Sequence, residues 1–291
     1  MINLSILIPC HNWNLIKLVN DLNQLCIKSK SLNNFEIICI EDGSKKLFKN
    51  FKIEQIENAH YSILNKNIGR SAVRNKLARS ANFEWLLFID CDSEIVDDNF
   101  IENYLIEANK NKNKTVFYGQ TLYKTSNNRE FSLHENYGKK IESKKKIKHF
   151  SSHHFLIKKN LLLEKKFNEK ITKYGYEDLI FQLESNYNFE YIENSLYHIG
   201  LKKNSKFIAD CESSLENLLI YENQKIIEDK IRILVWSNKL NVLQSFILIV
   251  FKFLKPHILK NLNSNKPNLI LLQFYKLGFL FTIKKKFFQK A

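Results

Sequence analysis

Along the first half of the chain, apolar residues come in short blocks separated by amphipathic stretches. Residues 4–9, 35–40, 61–64, 85–89 and 115–118 are almost wholly apolar and read as strands buried on both faces. Between them, residues 15–25 and 69–81 carry helical periodicity. In the second stretch Val73, Leu77 and Ala81 recur every fourth residue and mark one buried face. Such strand–helix alternation predicts an α/β domain: a mainly parallel sheet with helices on both faces. From Gly119 to about Lys148 the chain turns polar and Lys/Asn-rich, which reads as a loop region. Strand signals return over 151–157 and 187–192, on either side of a helix beginning near Glu177. From Lys206 onward the pattern is helical only. We therefore divide the chain into an α/β domain, residues 1–205, and a helical C-terminal extension, residues 206–291.

Composition changes this picture in two places. Of the 45 Lys and Arg, twelve lie beyond residue 229, with none of the 30 Asp and Glu, so the first 229 residues are close to neutral, about +3. The basic character belongs to the extension, and a nucleic-acid reading of the whole chain loses its support. Within the extension Phe246, Ile249, Val250, Phe253 and Leu254, and later Phe279, Leu280, Phe287 and Phe288, stand among Lys252, Lys255, Lys260 and Lys284-Lys285-Lys286. That mixture suits helices lying at an anionic membrane surface; the competing reading is a helical subdomain with a solvated basic face. The longest apolar run, near 242–254, is interrupted by Gln244, Ser245 and Lys252, so no membrane-spanning segment is expected. No leader segment is evident at Met1, and five Cys at irregular spacing fit neither a disulfide framework nor a zinc site. The expected location is cytoplasmic, peripheral to the inner face of the membrane.

Polar groups close several of the predicted strands, where ligands of parallel sheets bind. They are Pro9-Cys10-His11-Asn12, Glu41-Asp42-Gly43-Ser44 and Asp90-Cys91-Asp92. In the last, Asp90 and Asp92 project to the same side of an extended chain, where two like charges call for a cation. A hard divalent ion, Mn2+ or Mg2+, takes such oxygens and keeps positions free for phosphates. Asn67 and Gly69 precede a helix start bearing Arg70 and Arg74, a place suited to a diphosphate. Gly175-Tyr176-Glu177-Asp178 leads into another helix, where Asp178 is either a helix cap or a general base. His198 ends an apolar stretch, as a structural residue or a metal ligand.

In their order and approximate spacing these motifs resemble the family 2 glycosyltransferases, over roughly the first 205 residues. The resemblance implies a GT-A fold, Rossmann-like, with transfer from a nucleotide-diphosphate sugar, expected to be a UDP-sugar, to a glycan or lipid-linked acceptor with inversion. It implies that Pro9, His11, Asn12, Glu41, Asp42, Asn67, Gly69, Arg70 and Arg74 bind the donor nucleotide. Asp90 would meet ribose or metal-bound water, Asp92 the metal, and His198 a further metal position. Asp178 would be the base, with Glu177 beside it. His153-His154 stand where relatives carry Asn and, with Tyr176, mark the acceptor region. Glu41 departs from the Asp usual before Asp42. A nucleotidyltransferase would show a Gly-rich basic loop after the first strand, which Pro9-Cys10-His11-Asn12 lacks. A catalytically degenerate sugar-nucleotide-binding module would not need Asp90, Asp92 and Asp178 together.

Overall fold

The computed structural model describes residues 1–110, 113–144, 150–221 and 224–288. From the amino terminus the elements are β1 (Ile2–Cys10), α1 (Ile16–Lys28), β2 (Leu32–Glu41), β3 (Ala59–Ile63), α2 (Arg70–Ser80), β4 (Trp85–Ile89), β5 (Ser93–Ile95), α3 (Phe100–Asn109) and β6 (Thr115–Tyr123). There follow α4 (Ser132–Tyr137), β7 (His154–Lys158), α5 (Lys159–Glu164), α6 (Glu177–Glu184) and β8 (Asn188–His198). The remainder is helical: α7 (Asn204–Ile220), α8 (Gln224–Ile227), α9 (Arg232–Lys239), α10 (Gln244–Leu262) and α11 (Leu269–Phe288). The chain divides into two compact units. The first comprises residues 1–124, 142–172 and 177–200; the second comprises 125–141, 173–176 and 201–291.

Among the described residues, the eight strands of the first unit form one sheet, in the order β3-β2-β1-β4-β7-β6-β8-β5. Strands β1, β2, β3 and β4 run parallel, β7 lies antiparallel to both β4 and β6, β6 runs parallel to β8, and β5 closes the edge antiparallel to β8. The mainly parallel sheet follows from the apolar runs. In β1, Leu4, Ile6 and Ile8 face one core with Leu18, Leu22 and Tyr104 from α1 and α3. Leu7, between them, faces the other core with Val73, Leu77 and Leu162 from α2 and α5. Strands buried on both faces leave no position for alternation, which is why they read as unbroken apolar runs. Aromatic stacking tightens the second core, with Phe88 on Phe155 at 4.8 Å and Phe167 on Phe181 at 4.4 Å between centroids.

Two segments differ from the sequence expectation. The polar stretch beginning at Gly119 is not all loop: β6 runs on to Tyr123 and α4 lies within it, while residues 145–149 fall outside the described residues. Strand β6 is sustained there by pairing, since Thr121, Leu122 and Tyr123 lie beside Leu196, Tyr197 and His198 of β8. Likewise the three-residue strand β5, which no apolar run announces, places Glu94 opposite Tyr197.

The second unit packs α4, α7, α10 and α11 around Leu133, Phe207, Phe251, Ile258, Leu272 and Tyr275. Asn204 and Asn217 tie its distant segments in. The Asn204 amide donates to the Arg129 carbonyl at 2.9 Å and its oxygen accepts from the Leu133 N–H at 2.9 Å. The Asn217 amide donates to the carbonyls of Lys173, Tyr174 and Gly175. Helix α10 buries Ile247, Phe251 and Ile258, whereas Phe246, Ile249 and Phe253 on its other side are 66%, 71% and 77% exposed. Despite its interruptions, residues 241–262 form a helix long and apolar enough to cross a membrane, by length and composition. The side chains of Lys286, Phe287 and Phe288 lie outside those described.

Candidate active site

The strand directions put the chemistry of the first unit on one sheet edge. The carboxyl ends of β1, β2 and β4 lie there, with the start of antiparallel β7 and the end of β8. Hence Cys10 and Glu41 end their strands side by side, Ile89 ends β4 opposite His154, and His198 lies opposite Ser93.

The first group surrounds the ends of β1 and β2. Asp42 is buried, and its two oxygens accept from the backbone N–H groups of Ile68 at 2.7 Å and Gly69 at 3.1 Å, immediately before α2. Its carbonyl accepts from the Asn67 amide at 3.0 Å and lies 2.9 Å from His11 Nδ1. Gly43 makes this approach possible: φ is +57°, and a Cβ would lie 2.1 Å from the Asn67 nitrogen. His11 and Asn67 remain exposed, with Pro9 and Asn12 half-buried beside them. Glu41 sits differently from what its motif suggests. It is 0% exposed and accepts from the Asn12 N–H, the Asn50 amide at 3.1 Å, Tyr61 Oη at 3.1 Å, Cys10 Sγ and Ser44 Oγ. A carboxylate so enclosed organises the loop.

The second group centres on Arg74, 1% exposed. Its Nη2 donates to Asp90 Oδ1 at 2.7 Å, and its Nη1 lies 3.9 Å from Glu177 Oε1. Arg70 Nη1 lies 3.7 Å from the same Glu177 oxygen, with about half of its own side chain in solvent. The two arginines predicted to share one task are thus divided: Arg70 stays accessible, and Arg74 is enclosed between two carboxylates. Asp178, the next residue, lies in the first turn of α6. One oxygen accepts from the Leu179 N–H at 2.8 Å and the other from the Ser152 N–H at 3.4 Å. Burial, and after it the Glu177 charge, pushes its carboxyl up to about 7.

The third group begins two residues beyond Asp90, whose N–H donates to the His153 carbonyl at 2.9 Å. Asp92 Oδ1 is 3.4 Å from His198 Nδ1, and the Ile199 N–H donates to the Asp92 carbonyl at 2.8 Å. Burial works to raise the Asp92 carboxyl, but the His198 imidazole outweighs it, with His153 and Arg70 behind, and holds it below the usual carboxylate range. Asp92, His153 and His198 each offer a ligand atom within 4.8 Å of the others. This donor set fits a divalent cation, with two imidazoles and a carboxylate on three different strand ends. Gly200 gives it room: a Cβ there would lie 2.0 Å from Asp92 Oδ2. Sequence reasoning passed over Gly200, although a glycine two residues after His198 was the available signal.

His154 is not brought to this group. It is 1% exposed, with Nδ1 2.7 Å from Tyr104 Oη and Nε2 3.2 Å from the Gln120 carbonyl, so the core uses both ring nitrogens. Tyr176 belongs to the second unit, at φ +68°, where its hydroxyl bonds Lys276.

The family model described as Glycosyl transferase family 2 matches residues 5–172. Among solved structures, S. aureus TarS in complex with UDP is similar at 16% identity and TM-score 0.50, over 99% of this chain and 92% of that one. The mannosyltransferase PcManGT from Pyrobaculum calidifontis, in complex with GDP-Man and Mn2+, is similar at 11% identity and TM-score 0.53, over 74% and 63%. GalNAc-T7 with UDP, GalNAc and Mn2+ is similar at 13% identity and TM-score 0.51, over 68% and 43%. No match was found among the curated proteins. At these identities the structural likeness is one of fold.

Proposed function

Because the chain belongs to glycosyl transferase family 2 and has the GT-A fold, we propose that it transfers a sugar from a nucleotide-diphosphate donor, a UDP-sugar, to a glycan or lipid-linked acceptor with inversion. The observation that carries this reading is Arg74 bridging Asp90 to Glu177. That bridge joins the acidic pair after β4 to the start of α6, so the groups for leaving-group departure and for acceptor activation form one cluster, half-buried at Asp90, Asp92 and Asp178 around the buried Arg74 and Glu177.

Each residue then has a task. His11 and Asn67, exposed over the ends of β1 and β2, face the nucleoside, with Pro9 and Asn12 forming the wall beside them. The exposed Arg70 at the start of α2 receives the diphosphate, with Gly69, whose N–H is held by Asp42, beside it. Arg74 is a positioning residue that aims Asp90 and Glu177. Asp90 faces the ribose or the cation, and Asp92 and His198 would hold that cation, Mn2+ or Mg2+. When bound, the ion would supply Lewis-acid neutralisation of the departing diphosphate. Asp178, poised near 7, takes the proton of the acceptor hydroxyl as its oxygen attacks the anomeric carbon opposite the leaving group. One base and one displacement invert the centre, with no covalent enzyme intermediate. Glu177, held by the two arginines, borders the acceptor side.

The second unit supports a place at a membrane. Val242, Phe246, Ile249 and Phe253 recur at helical spacing on one side of the 241–262 helix and are all exposed, next to Lys252 and Lys260. Lys252 and Lys255 near its middle cost ~2.5–3.5 kcal/mol each at a bilayer centre, which favours lying in the headgroup layer over spanning. Anionic lipid attracts the same lysines, at ~1 kcal/mol each. An inner-leaflet, cytoplasmic position suits this charge and the five free cysteines.

The test is release of nucleoside diphosphate over a panel of nucleotide sugars, with Mn2+, with Mg2+ and with EDTA. Turnover of one donor with a divalent ion, abolished by EDTA, is expected. Full activity in EDTA would remove the metal from the mechanism, and silence on every donor would remove the transferase reading.

A further inference from the structure

We propose that His153 is a third protein ligand of the cation, and that Asp92, His153 and His198 together select a first-row transition ion such as Mn2+ over Mg2+. The inference rests on the reading of Asp92 and His198 as metal ligands and extends it to a residue whose sequence position suggests only an acceptor contact.

Topology brings His153 there. It directly precedes β7, whose first residue His154 pairs with Ile89, the last residue of β4. The His153 carbonyl accepts from the Asp90 N–H, which fixes its backbone against the acidic turn. On the other side β8 ends at His198, paired with Ser93 of β5. Two strand ends thereby converge on Asp92 from opposite directions, and the imidazoles of His153 and His198 stand 5.5 Å apart at 77°. Ligand atoms within 4.8 Å of one another need only small side-chain rotations to reach a common ion.

The hydrogen-bond partners distinguish this imidazole from its neighbour. His154 is spoken for: the Gln120 carbonyl can only accept, so Nε2 donates to it, and Nδ1 then accepts from Tyr104. Both partners of His153 are hydroxyls, Ser93 Oγ at 3.1 Å and Thr121 Oγ1 at 3.2 Å. A hydroxyl donates or accepts as required and rotates freely, so it fixes neither tautomer. One ring nitrogen can turn its lone pair to a cation at the expense of one exchangeable bond. The other then donates to the remaining hydroxyl, the outer contact that orients a ligating histidine. Gly200 leaves open the volume that the Asp92 carboxylate occupies.

Two imidazoles change the selectivity of the site. Mg2+ prefers oxygen ligands and retains its waters, whereas imidazole suits borderline transition ions. A site of Asp90 and Asp92 alone would discriminate weakly between Mn2+ and Mg2+. With His153 and His198 it favours Mn2+.

The experiment is Mn2+ binding to the full chain, followed by electron paramagnetic resonance with and without UDP, with Mg2+ as competitor. Pulsed spectra should show nitrogen coupling from two imidazoles. In His153→Ala one coupling should vanish, Mn2+ affinity should fall ~10-fold or more, and the preference over Mg2+ should narrow. Thr121→Val, which removes only an outer hydroxyl, should retain both couplings. A single imidazole coupling in the wild type overturns the proposal even if His153→Ala fails to fold. Unchanged Mn2+ affinity in His153→Ala, with loss in Asp92→Asn, overturns the role of His153 alone. Mn2+ binding untouched in Asp92→Asn overturns the underlying metal reading as well.

Discussion

At the scale of single residues, the buried charges of the first unit divide between those that build and those that react. Glu41, Asp42 and Arg74 are each enclosed by several partners, whereas Asp178 has two backbone donors and a carboxyl raised to about 7. A base is useful only when ionised. As the proposed base, Asp178 would be protonated below pH 7, and kcat/KM should fall tenfold per pH unit there and level off above. Burial is the main cause of the raised value and the Glu177 charge the next, so Glu177→Gln should move that acid limb to lower pH. Asp178→Asn should bind donor nucleotide normally and lose transfer by ~10²-fold or more. Were Asp178 only the first-turn residue of α6, the variant would keep its rate and lose about 1 kcal/mol of stability. The sequence exposed these acids because each follows an apolar strand or opens a helix. It could not expose the fate of Glu41 or Arg74, whose partners Asn50, Tyr61, Asp90 and Glu177 come from segments joined only by the fold.

At the scale of elements, the donor end of the first unit depends on how α2 begins. Gly69, its N-cap residue, supplies no side chain to the helix start, and φ there is +91°. Asp42 from the end of β2 performs the task across the chain, accepting from two N–H groups beside the positive end of the helix. Asp42→Ala should therefore cost about 2 kcal/mol, seen as a lower denaturant midpoint at unchanged slope. It should also loosen Asn67 and Gly69 and weaken nucleotide binding. Asp42→Asn, which keeps one acceptor oxygen, should lose less of both. A variant with wild-type midpoint would show that α2 holds its own start. Helix α2 and strands β1, β2 and β4 were legible because burial on two faces, or on one helical face, writes a period into the sequence. Strand β5 was not, because three residues carry no period, and the end of β6 was hidden by polar residues that owe their extended form to β8. Helix α4 was obscured for a related reason: of its six residues only Leu133 and His134 are buried.

At the scale of the whole molecule, charge and apolar exposure coincide on the second unit. That unit draws in residues 125–141 and 173–176 through Asn204 and Asn217, so truncation near residue 230 would cut through its core and read unfolding as lost binding. Substitution on the exposed side of α10 avoids this. Phe246, Ile249 and Phe253 make the apolar stripe, while Ile247, Phe251 and Ile258 on the other side carry the packing. Changing Phe246, Ile249 and Phe253 together to Ser should leave the melting temperature nearly unchanged and sharply reduce recovery with liposomes. At ~1.5–3 kcal/mol for each side chain fully withdrawn from water, even half-insertion of three implies a loss of roughly 10²-fold in partitioning. The charge contribution reads out separately, because it needs anionic lipid and weakens with salt over a Debye length of ~10 Å at 0.1 M. Wild-type protein should float with phosphatidylserine vesicles in low salt and less so with neutral ones. The triple variant should float with neither, while retaining turnover of a soluble donor. Equal recovery of both proteins in the soluble fraction, at every salt and lipid composition, would leave the stripe as an ordinary solvent-facing surface.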